Sequence, residues 1–191
     1  MSSDVTINEL RTSSSEIDGL VVIDARTVTE ARGTVRELYR ESVYPPLLAL
    51  AGDGWKQINL TRTKSGTVRG LHGEAMAKLV MIASGSALGV YLDARPDSST
   101  LGNVVTVELI PGRQVFVPRG VCNGFQVTSA EDAEYLYFFD TEWQPGMTGV
   151  AVTPLDPVVA HLWPIPIDPN NREQISEKDV NAPLLRTVLG E

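Results

Sequence analysis

The sequence is short of several things that common chemistries need. It holds one cysteine, Cys122, and two histidines, His72 and His161, among 191 residues. A single cysteine cannot close an internal disulfide, so nothing calls for an oxidising compartment. Two histidines cannot supply the several-histidine-plus-carboxylate sets that metal-dependent β-barrel enzymes use, and no metal or other cofactor is expected. Positive charge is scarce as well: 16 Lys+Arg stand against 24 Asp+Glu, a net charge of −8. That balance argues against a nucleic-acid partner, which needs clustered cations. A small anionic ligand is still open to the chain, because it needs only a few local cations. No apolar run approaches the roughly 20 residues that span a bilayer. Met1–Leu10 lacks a basic segment followed by an apolar core, so no signal peptide is expected. Against these shortages, hydrophobic residues at 42% and charged residues at 21% are an ordinary globular balance. The expectation is a soluble, acidic, cytoplasmic protein with one main domain.

The pattern that is present is β. Val21–Ile23 is a short buried run, and Trp55–Thr63 alternates. Further strand-like runs cover Thr67–His72, Lys78–Ala83, Ala87–Leu92, Val104–Leu109, Gln114–Val117, Phe125–Thr128 and Glu134–Phe139. Turn signals such as Ser84-Gly85-Ser86, Pro111-Gly112 and Pro118-Arg119-Gly120 separate them. Short strands at this spacing predict an antiparallel sandwich or barrel. Residues 1–18 read as a mobile arm or added edge strand, 19–170 as the β domain, and 171–191 as a helical tail. Helix signals sit at the ends only. Val28–Tyr39 reads as an N-terminal helical segment despite Gly33 and the β-branched Thr34-Val35. Ser176 reads as the N-cap of a helix that continues through Ala182-Pro183-Leu184-Leu185.

Few residues carry chemistry on their own terms. His161, in Ala-His-Leu-Trp-Pro, reads as a surface or packing residue. His72-Gly73-Glu74 is a weak metal signal. His72 closes the run Val68-Arg69-Gly70-Leu71-His72, and a lone strand histidine is more often structural than a base. A base histidine needs an orienting partner and a proton donor across the substrate, which spacing alone does not identify.

The motifs supply more. Arg69-Gly70-Leu71-His72, Lys78-Leu79-Val80, Leu92-Asp93, Pro118-Arg119-Gly120, Glu134-Tyr135-Leu136-Tyr137 and Ser176-Glu177-Lys178-Asp179-x-x-Ala182-Pro183 occur in the order of the dTDP-4-dehydrorhamnose 3,5-epimerase family. The chain resembles that family over roughly residues 20–186. The resemblance implies a cupin-like jelly-roll homodimer, free of cofactors, acting on a dTDP-linked 4-keto-6-deoxyhexose. It implies that His72 is the base, Asp179 its orienting carboxylate, Tyr137 the acid on the opposite face and Lys78 the cation at the C4 oxygen. It assigns Arg69 and Arg32 to the diphosphate, and Gln57, Asn59 and Glu37 to the nucleotide side. Trp143 falls where the family carries an aromatic.

Each of these residues also has a plain structural alternative. Tyr137 lies among core-like aromatics, Asp179 at a helix start, and the cations on strands or loops. The sequence departs from the family in three places. Asn123, in Cys122-Asn123-Gly124-Phe125, replaces the family's second histidine, and an amide cannot carry a proton at neutral pH. The segment Gly73–Ala77 is shorter than the family's loop. Thr34-Val35 replaces an aromatic pair that helps shape the base pocket across the dimer. Inversion at C3, at C5 or at both therefore stays open, with a sugar 3,4-ketoisomerase or a non-catalytic sugar-nucleotide-binding cupin as rivals.

Overall fold

The computed structural model describes residues 5–44 and 54–190. Two antiparallel sheets face each other in a jelly-roll sandwich. One runs β10(Val104–Leu109), β9(Ala87–Asp93), β12(Val121–Val127), β7(Val68–Glu74), β14(Gly149–Ala151). The other runs β2(Arg11–Ser14), β3(Val21–Asp24), β11(Arg113–Val117), β8(Lys78–Ser84), β13(Ala133–Phe139), β6(Gln57–Thr63). A small third sheet joins β1(Thr6–Asn8), β4(Thr27–Glu30) and β5(Gly33–Arg36). The arm is thus an edge strand where β2 pairs with β3; residues 1–4 lie outside the described part.

The alternation of side chains along each strand decides what faces what. Val80 and Ile82 of β8, Tyr91 of β9, Phe125 and Val127 of β12 and Tyr135 of β13 fill the space between the sheets. The alternate residues face outward yet are also buried. Leu79, Met81, Phe116 and Phe138 pack beneath Tyr39, Tyr44 and Trp55. Leu71, Val90, Leu92 and Cys122 are covered by Val152, Val159, Trp163 and Leu185 from the C-terminal segment. Strands covered on both faces explain why β8 and β9 read as nearly continuous apolar runs.

Two local expectations change. The segment 28–39 is not a helix: β4 and β5 form a hairpin turning at Ala31-Arg32. Thr27, Val28, Thr29, Thr34 and Val35 favour extended backbone, and Gly33 has φ +141°. The C-terminal helix is two short ones, α1(Glu177–Val180) and α2(Leu185–Val188). Pro183 has no N–H for a continuing helix and pushes Ala182 out of helical geometry, which breaks the pair apart.

The tail is held firmly across the five-stranded sheet. Val68 N donates to Gln174 O at 2.8 Å, and Trp163 Nε1 donates to Pro154 O at 2.9 Å. The Gln126 amide clasps the Ile165 backbone from both sides, at 2.8 and 2.9 Å. This anchoring carries α1 to the end of β7.

Candidate active site

A cavity of about 580 Å³ opens between the two sheets. Its walls include His72, Tyr137, Asp179, Lys78, Gln57, Asn59, Arg69, Asn123 and Trp143. One wall is β7 and β12, where Asn123 is the cross-strand neighbour of His72. The facing wall is β6, β8 and β13, where Asn59 stands opposite Tyr137 and Gln57 opposite Phe139. A close approach fixes the first wall. Gly70 has φ +113°, and a Cβ there would lie 2.5 Å from Gly124 Cα and 2.7 Å from Asn123 O. Only glycine permits that contact, which sits at the register shift between Asn123 and Phe125.

His72 Nε2 lies 2.8 Å from Asp179 Oδ1. Ser176 caps α1 by accepting the Asp179 amide at 3.1 Å, which fixes the carboxylate's position on the first turn. Burial of Asp179 works against its charge. Hydrogen bonding and charge from His72, with bonds from Ser176 and the Gly70 amide, outweigh it and hold the carboxyl below its ordinary value. Asp179 therefore stays an anion beside the imidazole.

Lys78 starts β8 and is almost fully buried. Its ammonium crosses to the opposite wall, donating to His72 O at 3.2 Å and Asn123 Oδ1 at 2.6 Å, and it pairs with Glu74. Burial opposes the Glu74 charge, but the adjacent Lys78 cation lowers that carboxyl below its usual range. Tyr137 meets Thr61 Oγ1 at 2.9 Å through its hydroxyl and packs between Tyr135 and Phe139, with centroids 5.7 and 5.1 Å away. Arg69 lines the cavity, and its Nε donates to Thr63 Oγ1 at 3.1 Å. At the mouth Trp143 is half exposed, its amide donating to Gln57 Oε1 at 2.8 Å.

Arg32 and Glu37 do not join this set within one chain. Arg32 sits on the β4–β5 turn with its side chain 85% exposed, paired with Glu30. Glu37 pairs with Arg40 just beyond β5. Both belong to the stretch carried by the small third sheet, which stands apart from the cavity lining.

Sequence reasoning gave no site role to Thr61, Arg172 and Lys178 and read Glu74 only as part of a weak metal signal; all four also line the cavity. Glu74 had a signal: two residues after His72 on a strand, it shares that residue's face. Arg172 lies on an irregular segment where no periodicity points inward. His161 is exposed, and Cys122 is wholly buried with burial pushing its thiol up to about 12. Among the described residues no group of three or more His, Cys, Asp and Glu is placed to hold a metal ion.

Fold and cavity together define a cupin-like barrel whose pocket sets an oriented histidine across from a tyrosine. Residues 14–187 match the dTDP-4-dehydrorhamnose 3,5-epimerase family, and the chain belongs to it. The dTDP-4-dehydrorhamnose 3,5-epimerase of Salmonella typhimurium is 32% identical over 179 residues, covering 91% of this chain and 94% of that protein. A dTDP-6-deoxy-D-glucose-3,5-epimerase of Legionella pneumophila, solved with dTDP-4-keto-L-rhamnose, superposes with TM-score 0.82 at 30% identity, covering 93% and 94%. ChmJ, a 3′-monoepimerase of Streptomyces bikiniensis solved with dTDP-quinovose, gives TM-score 0.78 at 27% identity, covering 91% and 88%.

Proposed function

We propose that this chain epimerises a dTDP-4-keto-6-deoxyhexose, inverting C3, C5 or both by proton abstraction and return. The observation that carries the reading is the placement of His72, oriented by Asp179, and Tyr137 on facing walls of one cavity, with Lys78 reaching from one wall to the other.

The ketone acidifies the protons on its neighbouring carbons. His72 takes one of them through the ring nitrogen not engaged by Asp179, and the electron pair moves onto the C4 oxygen as an enolate. Asp179 stabilises the imidazolium that forms. The fixed Lys78 cation, in a largely water-excluded position, stabilises the enolate oxygen. Tyr137 then gives its proton to the opposite face of the carbon, and the centre is inverted. Arg69 supplies forked donors to the diphosphate. Gln57, Asn59 and Trp143 line the nucleotide end, where an indole offers a flat apolar face to a base.

Asn123 favours a narrower form of the same reading. Its side-chain carbonyl is committed to Lys78, and an amide cannot shuttle protons, so one centre has a single base on this wall. That arrangement favours inversion at one centre over inversion at both.

We place Arg32 and Glu37 in the cavity of a second copy, in a homodimer. Their distance from their own cavity supports this, as do the exposed apolar side chains Ile7 and Val35 on the third sheet and Ile58 and Leu60 on β6. A cytoplasmic location fits the lone unpaired cysteine.

Proton NMR of dTDP-4-keto-6-deoxyglucose with the protein in deuterium oxide tests the reading. Deuterium entering C3, C5 or both with inversion supports it and decides which centre is used. No exchange at either position would make the chain a binding protein.

A further inference from the structure

The Lys78 ammonium has three N–H donors and no acceptor. All three have partners in the free protein: the His72 carbonyl, the Asn123 side-chain oxygen and the Glu74 carboxylate. A ligand oxygen can reach this cation only by replacing one of them.

The three partners are not equally replaceable. The His72 carbonyl belongs to β7, which is held between β12 and β14. Asn123 sits on β12 between β7 and β9. Glu74 shares the β7 backbone, its carbonyl accepting Gly120 N at 3.1 Å, and its carboxylate is held by Lys78. Its side chain is 22% exposed against 6% for that of Lys78, and it lies on the cavity wall. A carboxylate there can turn to water, whereas the His72 carbonyl cannot move without breaking sheet, and the Asn123 amide is uncharged and one methylene shorter, so it gains less from water.

We propose that Glu74 is a specificity-determining positioning residue, which occupies the Lys78 donor that the C4 oxygen of the sugar must take. The proposal rests on the nucleotide-sugar reading above and adds a consequence to it. A neutral ketone or hydroxyl oxygen competes poorly with a carboxylate for an ammonium; an enolate oxygen competes well. The Glu74–Lys78 pair therefore weakens the ground-state complex more than it weakens the enolate. Lys78 is spent where charge develops, which is the condition for an interaction to raise turnover and not merely affinity.

The test compares two ligands on the parent and on Glu74→Gln by titration calorimetry. dTDP lacks the sugar and does not reach Lys78; dTDP-D-xylose carries a neutral C4 hydroxyl. Loss of the competing charge is expected to tighten dTDP-D-xylose about fivefold, the size of a partly exposed ion pair, while dTDP stays within about twofold. In turnover, the same variant lowers KM for the 4-keto substrate. Glu74→Ala, which removes the side chain altogether, shows the same selective tightening if Glu74 acts as a competitor, and guards against a defect peculiar to the glutamine. Unchanged or weaker dTDP-D-xylose binding in both variants, with dTDP still bound, overturns the role of Glu74 alone. A parent that binds neither ligand overturns the nucleotide-sugar reading and this proposal with it.

Discussion

Replacing Asp179 with asparagine isolates what the carboxylate does for His72. The substitution keeps the size of the side chain, and the Asp179 amide still donates to Ser176 Oγ, so the cap of α1 survives. The structural cost is the loss of one first-turn acid and of a charge-assisted bond, on the order of 1–2 kcal/mol. The kinetic cost is larger. Asp179 is 5% exposed and 2.8 Å from His72 Nε2, so no water can take over the role of a fixed anion. An amide there can present either N–H or oxygen to the ring, which leaves the tautomer unset and the imidazolium uncompensated. Replacing the carboxylate of an acid–histidine pair in this way costs up to about 10⁴ in turnover, and a positioned base as a whole contributes roughly 10²–10⁴. The expected result is a kcat reduced by about 10²–10⁴, little change in KM, and a melting temperature lowered by a few degrees. Steady-state kinetics with the 4-keto substrate, beside a thermal melt, measures all three. A folded Asp179→Asn protein turning over at the parental rate would refute the orienting role.

Other outcomes follow from the same geometry. Asp93 is fully buried; burial opposes its charge, but bonds from Arg95, Ser98 and Thr100 outweigh it and hold the carboxyl well below its usual value. Its contribution is present above the unfolded carboxylate value of about 4 and is lost as pH falls through the depressed folded value. Urea midpoints measured from neutral pH down to about pH 2 should fall more steeply for the parent than for Asp93→Asn, which is itself destabilised on the order of 2 kcal/mol at neutral pH. Cys122, with its thiol pushed up to about 12 by burial, should resist iodoacetamide at neutral pH in the native protein and react once urea unfolds it. Gly70→Ala forces a Cβ to within 2.5 Å of Gly124 Cα, so it should cost at least about 2 kcal/mol by chemical denaturation.

The β architecture was legible because the strands are short runs, alternating as in β6 or continuously apolar as in β8 and β9, bounded by turn residues. Nine of the runs read from the sequence are strands, and only their ends move, as where β12 begins at Val121 and not Phe125. The hairpin at 27–36 was harder. Glu30, Ala31, Arg32, Arg36 and Glu37 are good helix formers, and the sheet pairing that overrides them is tertiary. β14, three residues long and lying against β7, has too little alternation to announce itself. The site was legible in pieces. Lys78 and Tyr137 fall on the inward phase of their strands, whereas His72 and Asp179 are 107 residues apart and no spacing argument joins them. The family motifs carried that pairing. Arg32 and Glu37 were carried over the same way, and in one chain they stand away from the cavity lining, Arg32 on the β4–β5 turn and Glu37 just beyond β5.

The central claim is that one wall takes the proton and the other returns it. Deuterium incorporation and stereochemistry at C3, followed by NMR for the parent, His72→Ala and Tyr137→Phe, test it most directly. The parent is expected to exchange with inversion. His72→Ala should exchange nothing above background, while Tyr137→Phe should still exchange through His72, on its own face, with retention. Inversion by Tyr137→Phe at the parental rate, or exchange by His72→Ala, would contradict the account.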